Sequence, residues 1–357
     1  MPLYKGTTEI SSNKLYKATT NIENGYKGTN SFYVNQVTIQ FTSISGLGLT
    51  YTTPAIRTGN PGTAYTSTTF TISGTSGQRL NPSSFAMTNL PSSLSASVTS
   101  GSGSQTLTVT ISGNFPTSSV APIASVVSGI NITTDYNVHF LIVGAGGSAG
   151  ISTIKSNQGG GGAGGIKTSW GSSSGGGNAA LAQMTLIPTT TYNVVVGTTG
   201  GAQSSFNAII ATGGSTGGNG DNYGGAGGNA GSYGYSGGSA GGGNRSGGGG
   251  GGGAGSAGGP GGNTAGGGGA ALSIDITGSS IDYSAGGGGS QHSGSSGSQG
   301  NSAYGGGGGG SGGGGQNGVV ILRVLTTNLG TITGTHTTST VGSDTVIQWT
   351  GSGTYVA

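Results

Sequence analysis

Gly251-Gly252-Gly253-Ala254-Gly255-Ser256-Ala257-Gly258-Gly259-Pro260-Gly261-Gly262-Asn263 is the stretch that decides the fold. Ala254, Ala257, Pro260 and Asn263 stand three apart with almost only glycine between them, and the same step separates Ala163 from Ile166 and Ala226 from Asn229. A three-residue period is that of the extended polyproline-II-type helix, which rises ~3.1 Å per residue. Every third residue then projects along one edge, and the other two faces are bare glycine. Such a helix makes no internal hydrogen bonds, so each N–H and C=O needs a neighbour or water. Bare faces let neighbouring backbones come close enough to be those partners. The spacing predicts a lattice of polyglycine-II helices bonded through their backbones.

The competing reading is a floppy linker, because glycine loses more freedom on ordering than any other residue. Glycine plus proline is 86 + 9 = 95 of 357 residues, about 27%, inside the low-complexity range. Collagen is excluded, since it needs an unbroken three-residue repeat and proline near ~15–20%.

Outward from the glycine, strand-like runs frame the tracts. Val138-His139-Phe140-Leu141-Ile142-Val143 enters and Gly318-Val319-Val320-Ile321-Leu322-Arg323-Val324 closes, with Tyr192-Asn193-Val194-Val195-Val196-Gly197 and Ser205-Phe206 to Gly214 between them. A small hairpin is expected over 272–276 and 281–283. Ahead of this domain, residues 36–134 alternate in period two, as in Thr69-Phe70-Thr71-Ile72 and Thr106-Leu107-Thr108-Val109-Thr110-Ile111, with Gly, Pro, Ser and Asn between the runs. Regular short strands without helical periodicity predict an immunoglobulin-like β-sandwich. Its outward positions are Thr and Ser without a Trp or Tyr cluster, which suits a spacer better than a carbohydrate site. Residues 1–35 repeat one phrase, Tyr4-Lys5-Gly6-Thr7, Tyr16-Lys17-Ala18-Thr19 and Tyr26-Lys27-Gly28-Thr29, with β-favouring residues around a small one. Units this short need something to dock on, unless the stretch is a flexible leader that happens to repeat. The division expected is 1–35, a β-sandwich over 36–134, a glycine-rich domain over 135–326, and a C-terminal β-segment over 327–357 that pairs back onto it. The fold class expected is all-β plus polyglycine-II.

Composition narrows the function. Charged residues are 5% of the chain, against roughly 25% in a typical domain. The formal charge of +3 comes from ten Lys and Arg against seven acids, and Lys5, Lys14, Lys17 and Lys27 all lie near the start. No cations converge as phosphate binding requires, so no nucleic-acid partner is expected. With no cysteine there is no disulfide or thiolate metal site. Residues 1–10 lack the apolar core of a signal peptide, so synthesis in a host cytoplasm without export is expected. Leu141-Ile142-Val143-Gly144-Ala145-Gly146-Gly147-Ser148-Ala149 satisfies the dinucleotide fingerprint, yet no helical pattern and no acid follow over 151–177. Lys167 does not directly follow Gly165, which breaks a P-loop ending. His139, His292 and His336 lie far apart, and nothing marks a triad or metal cluster. No cofactor, metal or enzymatic activity is expected.

Framing strands, the Tyr-x-Val-x-Val-Gly phrase, the tracts and the closing Gly-Val-Val-Ile-Leu-Arg resemble the glycine-rich domains of phage structural proteins and the polyglycine-II sandwich of T-even-type distal tail-fibre adhesins. The leading repeat resembles the tyrosine-glycine repeats that tether phage fibres to the baseplate. The resemblance covers about half the chain and implies a virion-borne, homo-oligomeric adhesin, with a trimer plausible for a fibre. Its virion-anchoring residues would be Tyr4, Lys5, Tyr16, Lys17, Tyr26 and Lys27, facing baseplate or fibre proteins. Its receptor, a surface polysaccharide or an outer-membrane protein, would meet loops between the helices. Candidate contacts are Asn219, Asp221, Asn222, Tyr223, Tyr233, Tyr235, Asn244, Arg245, Asp282, Gln291, His292, Asn301 and Tyr304, since Tyr gives broad rigid contact and Asn and Gln adaptable hydrogen bonds. Tyr283 is the tyrosine expected to serve structure instead. Rival expectations are a purely structural virion protein, an ice-binding or silk-like protein, and a polysaccharide depolymerase, whose paired carboxylates are not visible.

Overall fold

A computed structural model describes residues 36–152, 157–220, 225–243, 246–291 and 295–357, and the backbone of four short strands before them. Those strands are two hairpins, Leu3–Lys5 with Thr8–Ile10 and Tyr26–Lys27 with Asn30–Ser31, so two copies of the Tyr-Lys-Gly-Thr phrase each turn back on themselves. The Tyr16 and Lys17 copy lies outside the described residues. The protein is all-β, with several sheets and none closed. It separates into two compact units, 1–135 and 136–357.

In the first unit one sheet orders Gln78–Met87, Ile123–Thr134 and Phe41–Ser45, and another orders Leu94–Ser100, Thr106–Gly113, Thr68–Ser73 and Thr50–Tyr51. The period-two runs put one side of each strand inward. Phe70, Ile72, Leu107, Val109 and Ile111 meet Val37, Ile39, Phe41 and Leu80 in one core. Their alternates form an outer face of hydroxyls in which Thr52 meets Thr71 at 3.2 Å. Arg79 Nε and Nη2 donate to the Asp135 carboxylate at 3.0 and 2.8 Å.

The second unit holds two larger sheets. One orders Ile166–Thr168, Tyr136–Val143, Val319–Leu325, Asp344–Trp349 and His336–Val341, with Met184–Leu186 paired to the start of Tyr136–Val143. The other orders Ile209–Ala211, Ser204–Phe206, Thr191–Val195, Gly353–Val356 and Thr331–Ile332. C-terminal strands therefore belong to both sheets. Val138, Phe140, Ile142, Val320, Leu322, Trp349 and Tyr355 fill the core they share with Tyr192, Val194 and Phe206. The first sheet's other face is also covered, since Leu141, Val143, Val319, Ile321 and Val346 pack under a hairpin of Leu272–Ile274 and Ile281–Tyr283. Burial on both faces explains why its two central strands read as continuous apolar runs rather than alternating ones. Trp170 clamps this hairpin. Its indole N–H donates to Asp275 at 2.7 Å, and Arg323, ion-paired to Asp344 at 2.8 Å, stacks 4.3 Å from its ring centre.

Strand ends launch the glycine. Val143 runs on into 144–151, Ala211 into 212–220 and Tyr283 into 284–291. Residues 157–165, 264–271 and 313–318 lead into Ile166, Leu272 and Val319. Further extended segments are 225–232, 235–241, 246–255, 256–262, 295–300 and 305–310.

Segment 157–165 shows how they are held. Gly159, Gly162 and Gly165 donate to Gly218, Ser215 and Thr212 of one neighbour; Gly160 and Ala163 donate to Gly249 and Gly252 of a second; Gly161 and Gly164 donate to Gly308 and Gly305 of a third. Its carbonyls are shared in the same rotation. Those of 159, 162 and 165 accept from Gly150, Gly147 and Gly144, those of 160 and 163 from Gly228 and Gly231, and those of 158 and 161 from Ser290 and Gly287. Groups three residues apart thus reach the same neighbour, and six neighbours surround the segment. Segment 246–255 is enclosed likewise by 284–291, 225–232, 256–262, 157–165, 264–271 and 235–241. Every N–H from 159 to 165 and from 247 to 254 has an acceptor, so these buried groups avoid the ~1–3 kcal/mol cost of an unpaired one.

Close approach is why these positions are glycine. A Cβ on Gly164 would lie 1.8 Å from the Gly144 carbonyl oxygen, and one on Gly251 1.9 Å from that of Gly161.

Candidate functional site: the distal end of the glycine array

Because the segments run alternately away from the sheets and back, their turns fall at two ends. At the sheet end the backbone bonds Gly144 to Gly165 and Gly165 to Thr212. At the far end Gly150 bonds to Gly159, Gly247 to Gly262, Ser290 to Gln158, and Ala149 to Gly313. Among the described residues, the far end carries the segment ends at 151, 157, 220, 225, 241, 246, 291 and 295 and the turns at 262–264 and 310–313. The bonded scaffold gathers these segment ends at one end.

This geometry sorts the sequence candidates. Asn219 and Gln291 lie at the far end. The Asn219 side-chain oxygen accepts the Ile151 N–H at 2.9 Å, and Gln291 donates to the Asn263 carbonyl at 3.0 Å. Asp221, Asn222, Tyr223, Asn244, Arg245 and His292 lie outside the described residues. Tyr233, Tyr235 and Tyr304 sit at the sheet end. Lys167 Nζ lies 5.2 Å from the Tyr233 ring centre, Tyr235 N–H donates to Gly253, and Tyr304 receives a 2.7 Å hydrogen bond from Gln348. Asp282 and Asn301 are exposed there too. Tyr283 is fully buried and stacked on Tyr304, and burial, with Tyr304 beside it, holds its phenol well above the usual tyrosine range. Of the anchoring candidates, Tyr4, Lys5, Tyr26 and Lys27 have backbone strand positions only.

Sequence reading missed other far-end residues. Ser290 Oγ accepts the Gln158 N–H at 2.9 Å and donates to Gln158 Oε1 at 2.8 Å, both side chains buried. Asn157 is fully buried beside them, and Ile151 is 68% exposed. The available signal was position, since each ends a glycine tract. Among the described residues this end carries amides and hydroxyls without a charge.

The nucleotide-binding resemblance of 144–149 has a structural explanation. Gly146 and Gly147 donate their N–H groups to Gln316 and Gly162, so the array uses the groups a phosphate would need. Among the described residues no three His, Asp or Glu come together as metal ligands, and no helix is long and apolar enough to cross a membrane. No family model matches this sequence, and no curated protein or solved structure is similar enough to match it.

Proposed function

We propose that this chain is a non-enzymatic bacteriophage tail-fibre or baseplate adhesin that attaches a virion to its host through the loops at the far end of the glycine array. The observation that carries this reading is the six-neighbour hydrogen bonding of segment 157–165, with turns collected beyond its start. In this reading the segments are polyglycine-II helices, whose three-fold screw accounts for groups three apart meeting the same neighbour. A scaffold saturated by its own backbone bonds tolerates any loop sequence at its end, which suits a surface that must vary.

The first unit, read as an immunoglobulin-like spacer, would hold the array away from the virion. The two Tyr-Lys-Gly-Thr hairpins and the third copy of the phrase would dock on baseplate or fibre proteins. Weak contacts from several fibres in a homo-oligomeric assembly would add to a firm attachment through effective concentration. A charge-poor surface favours polysaccharide or outer-membrane protein over nucleic acid. Exchanging the turns 219–225, 241–247 and 291–295 with those of a related fibre is expected to transfer host range. Unchanged adsorption refutes the reading.

A further inference from the structure

The edge of a sheet is a template for another strand, and proteins keep their edge strands short, kinked, or blocked by proline or charge. Apart from His336–Val341, no edge strand among the described residues is both regular and longer than three residues. In the second unit Ile166–Thr168, Met184–Leu186 and Ile209–Ala211 have three residues each and Thr331–Ile332 has two. In the first, Gln78–Met87 carries Pro82 and a register shift, and the pairings of Leu94–Ser100 and Phe41–Ser45 are shifted too. His336–Val341 differs. Its six residues pair one to one with Asp344–Trp349 without a shift, and no described strand lies on its other side. Its sequence, His-Thr-Thr-Ser-Thr-Val, has no proline, lysine or acid, and Thr337, Thr338, Ser339 and Thr340 are all exposed, so both faces of the strand can be approached.

Hydrogen bonding along an antiparallel strand alternates between its two sides. The Thr335 carbonyl accepts the Thr350 N–H at 3.1 Å, so the odd-numbered residues bond toward Asp344–Trp349. The N–H and C=O groups of His336, Thr338 and Thr340 therefore point away from the sheet. We propose that this edge pairs antiparallel with the same strand of a second copy of the chain, about a two-fold axis at Thr338. In that register Thr338 faces its own counterpart and His336 faces Thr340, so all three outward pairs of backbone groups are used. Centring on Ser339 instead would set His336 against the turn residue Gly342. Thr338 then meets Thr338 and Thr337 meets Ser339, pairs that favour each other across strands, and no like charges oppose. One patch that complements itself is what a closed two-fold contact requires. Selecting a foreign strand takes pockets for its alternate side chains, and a flat row of hydroxyls forms none. The pairing is independent of whether the glycine array binds a host.

The test uses the full-length chain, which has no cysteine of its own. Thr338→Cys sets two Cα atoms about 5.5 Å apart across the axis, inside the disulfide range of about 4.4–6.8 Å. Ser339→Cys offsets its pair by two residues, beyond that range. Under mild oxidation Thr338→Cys is expected to form a linked dimer roughly tenfold faster than Ser339→Cys. Sedimentation equilibrium of the wild type should show a dimer that grows with concentration. Thr338→Pro removes only an outward N–H, where a strand tolerates proline, and should abolish the dimer at unchanged Tm. Thr338→Lys opposes two charges across the axis and guards against a misfolded proline variant; its dimer should weaken and recover partly in high salt. A wild type that stays monomeric at every concentration overturns the inference, even if the edge takes up a strand from another protein. Equal cross-linking by Ser339→Cys, or a dimer that survives both Thr338→Pro and Thr338→Lys, overturns it too. So does loss of the dimer only in step with a fall in Tm in both variants.

Discussion

Replacing Gly162 with alanine tests whether the glycine content answers to packing. The backbone at Gly162 is outside the left-handed region, so alanine's own conformational preference is not the obstacle. The added Cβ would lie 1.9 Å from the Asn229 carbonyl oxygen and 2.3 Å from its carbon, both backbone atoms that cannot swing aside. Ordinary contact begins at 3.4 Å, so segment 225–232 must retreat by 3.4 − 1.9 = 1.5 Å. That shift carries the bonds from Gly228 to Gly160 at 2.8 Å and Gly231 to Ala163 at 2.9 Å beyond hydrogen-bonding range. Overpacking costs ~1–3 kcal/mol and two lost bonds ~0.5–1.5 kcal/mol each, which centres the loss near ~4 kcal/mol. For a unit of this size the melting temperature should fall by ~8–16 °C. Gly267 is the control, since nothing lies within 4 Å of its Cβ position. Alanine there should be neutral or stabilising by up to ~1 kcal/mol. Calorimetry of both variants decides the matter, and equal melting temperatures would refute the close-packing argument.

Arg323→Ala removes the ion pair to Asp344, the stack on Trp170 and a bond to the Ile276 carbonyl. It should cost about 3 kcal/mol, as breaking a largely buried pair does, and speed amide exchange over 272–283 before the rest of the unit opens. Tyr136 and Tyr283 both have phenols raised by burial, and in Tyr136 the hydrogen bond with Tyr355 adds to the shift. Raised values mean the folded state holds these protons more tightly. Their stabilisation is complete below the unfolded value of ~10 and is lost as pH climbs above it. Urea unfolding of the second unit should weaken between pH 9 and 11, and Tyr283→Phe should flatten that loss at no cost at pH 7, because this hydroxyl has no partner. A variant with the wild-type slope would contradict the assignment. Arg79→Ala should lower the first unit's stability by about 1 kcal/mol, since the pair with Asp135 is bidentate yet partly exposed; urea unfolding of that unit measures it.

Much of the fold could be read in advance because periodicity carries it. Thr69 to Ile72 alternates and forms a half-buried strand, and Leu141 to Val143 with Val319 to Leu322 form central strands. The three-residue step of Ala254, Ala257, Pro260 and Asn263 does not run along one segment: the chain bends at 254–256, and Ala254 lies at the end of the buried segment 246–255 while Ala257 and Pro260 belong to the neighbouring segment 256–262 that bonds to it. Partners could not be read. Gly160 and Gly161 are indistinguishable in sequence, yet one bonds to Gly249 and the other to Gly308, because the direction each N–H faces around the segment decides it. For the same reason Tyr233 and Asn219 looked equivalent as interruptions, whereas counting turns places them at opposite ends. Asp344–Trp349 and Gly353–Val356 pair with strands that precede residue 327. Asn157 escaped notice because its distinction is an unpaired carboxamide, which only coordinates can show.

Amide hydrogen exchange resolved to single residues in the full-length chain is the most direct test of the central claim that the glycine tracts form a bonded scaffold presenting its far end. Amides of 159–165 and 247–254 should exchange as slowly as those of Phe140 and Leu322 in the sheet core, near the limit set by global unfolding. Exchange of those glycine amides at the rate of an open chain, with the sheet amides still protected, would contradict it.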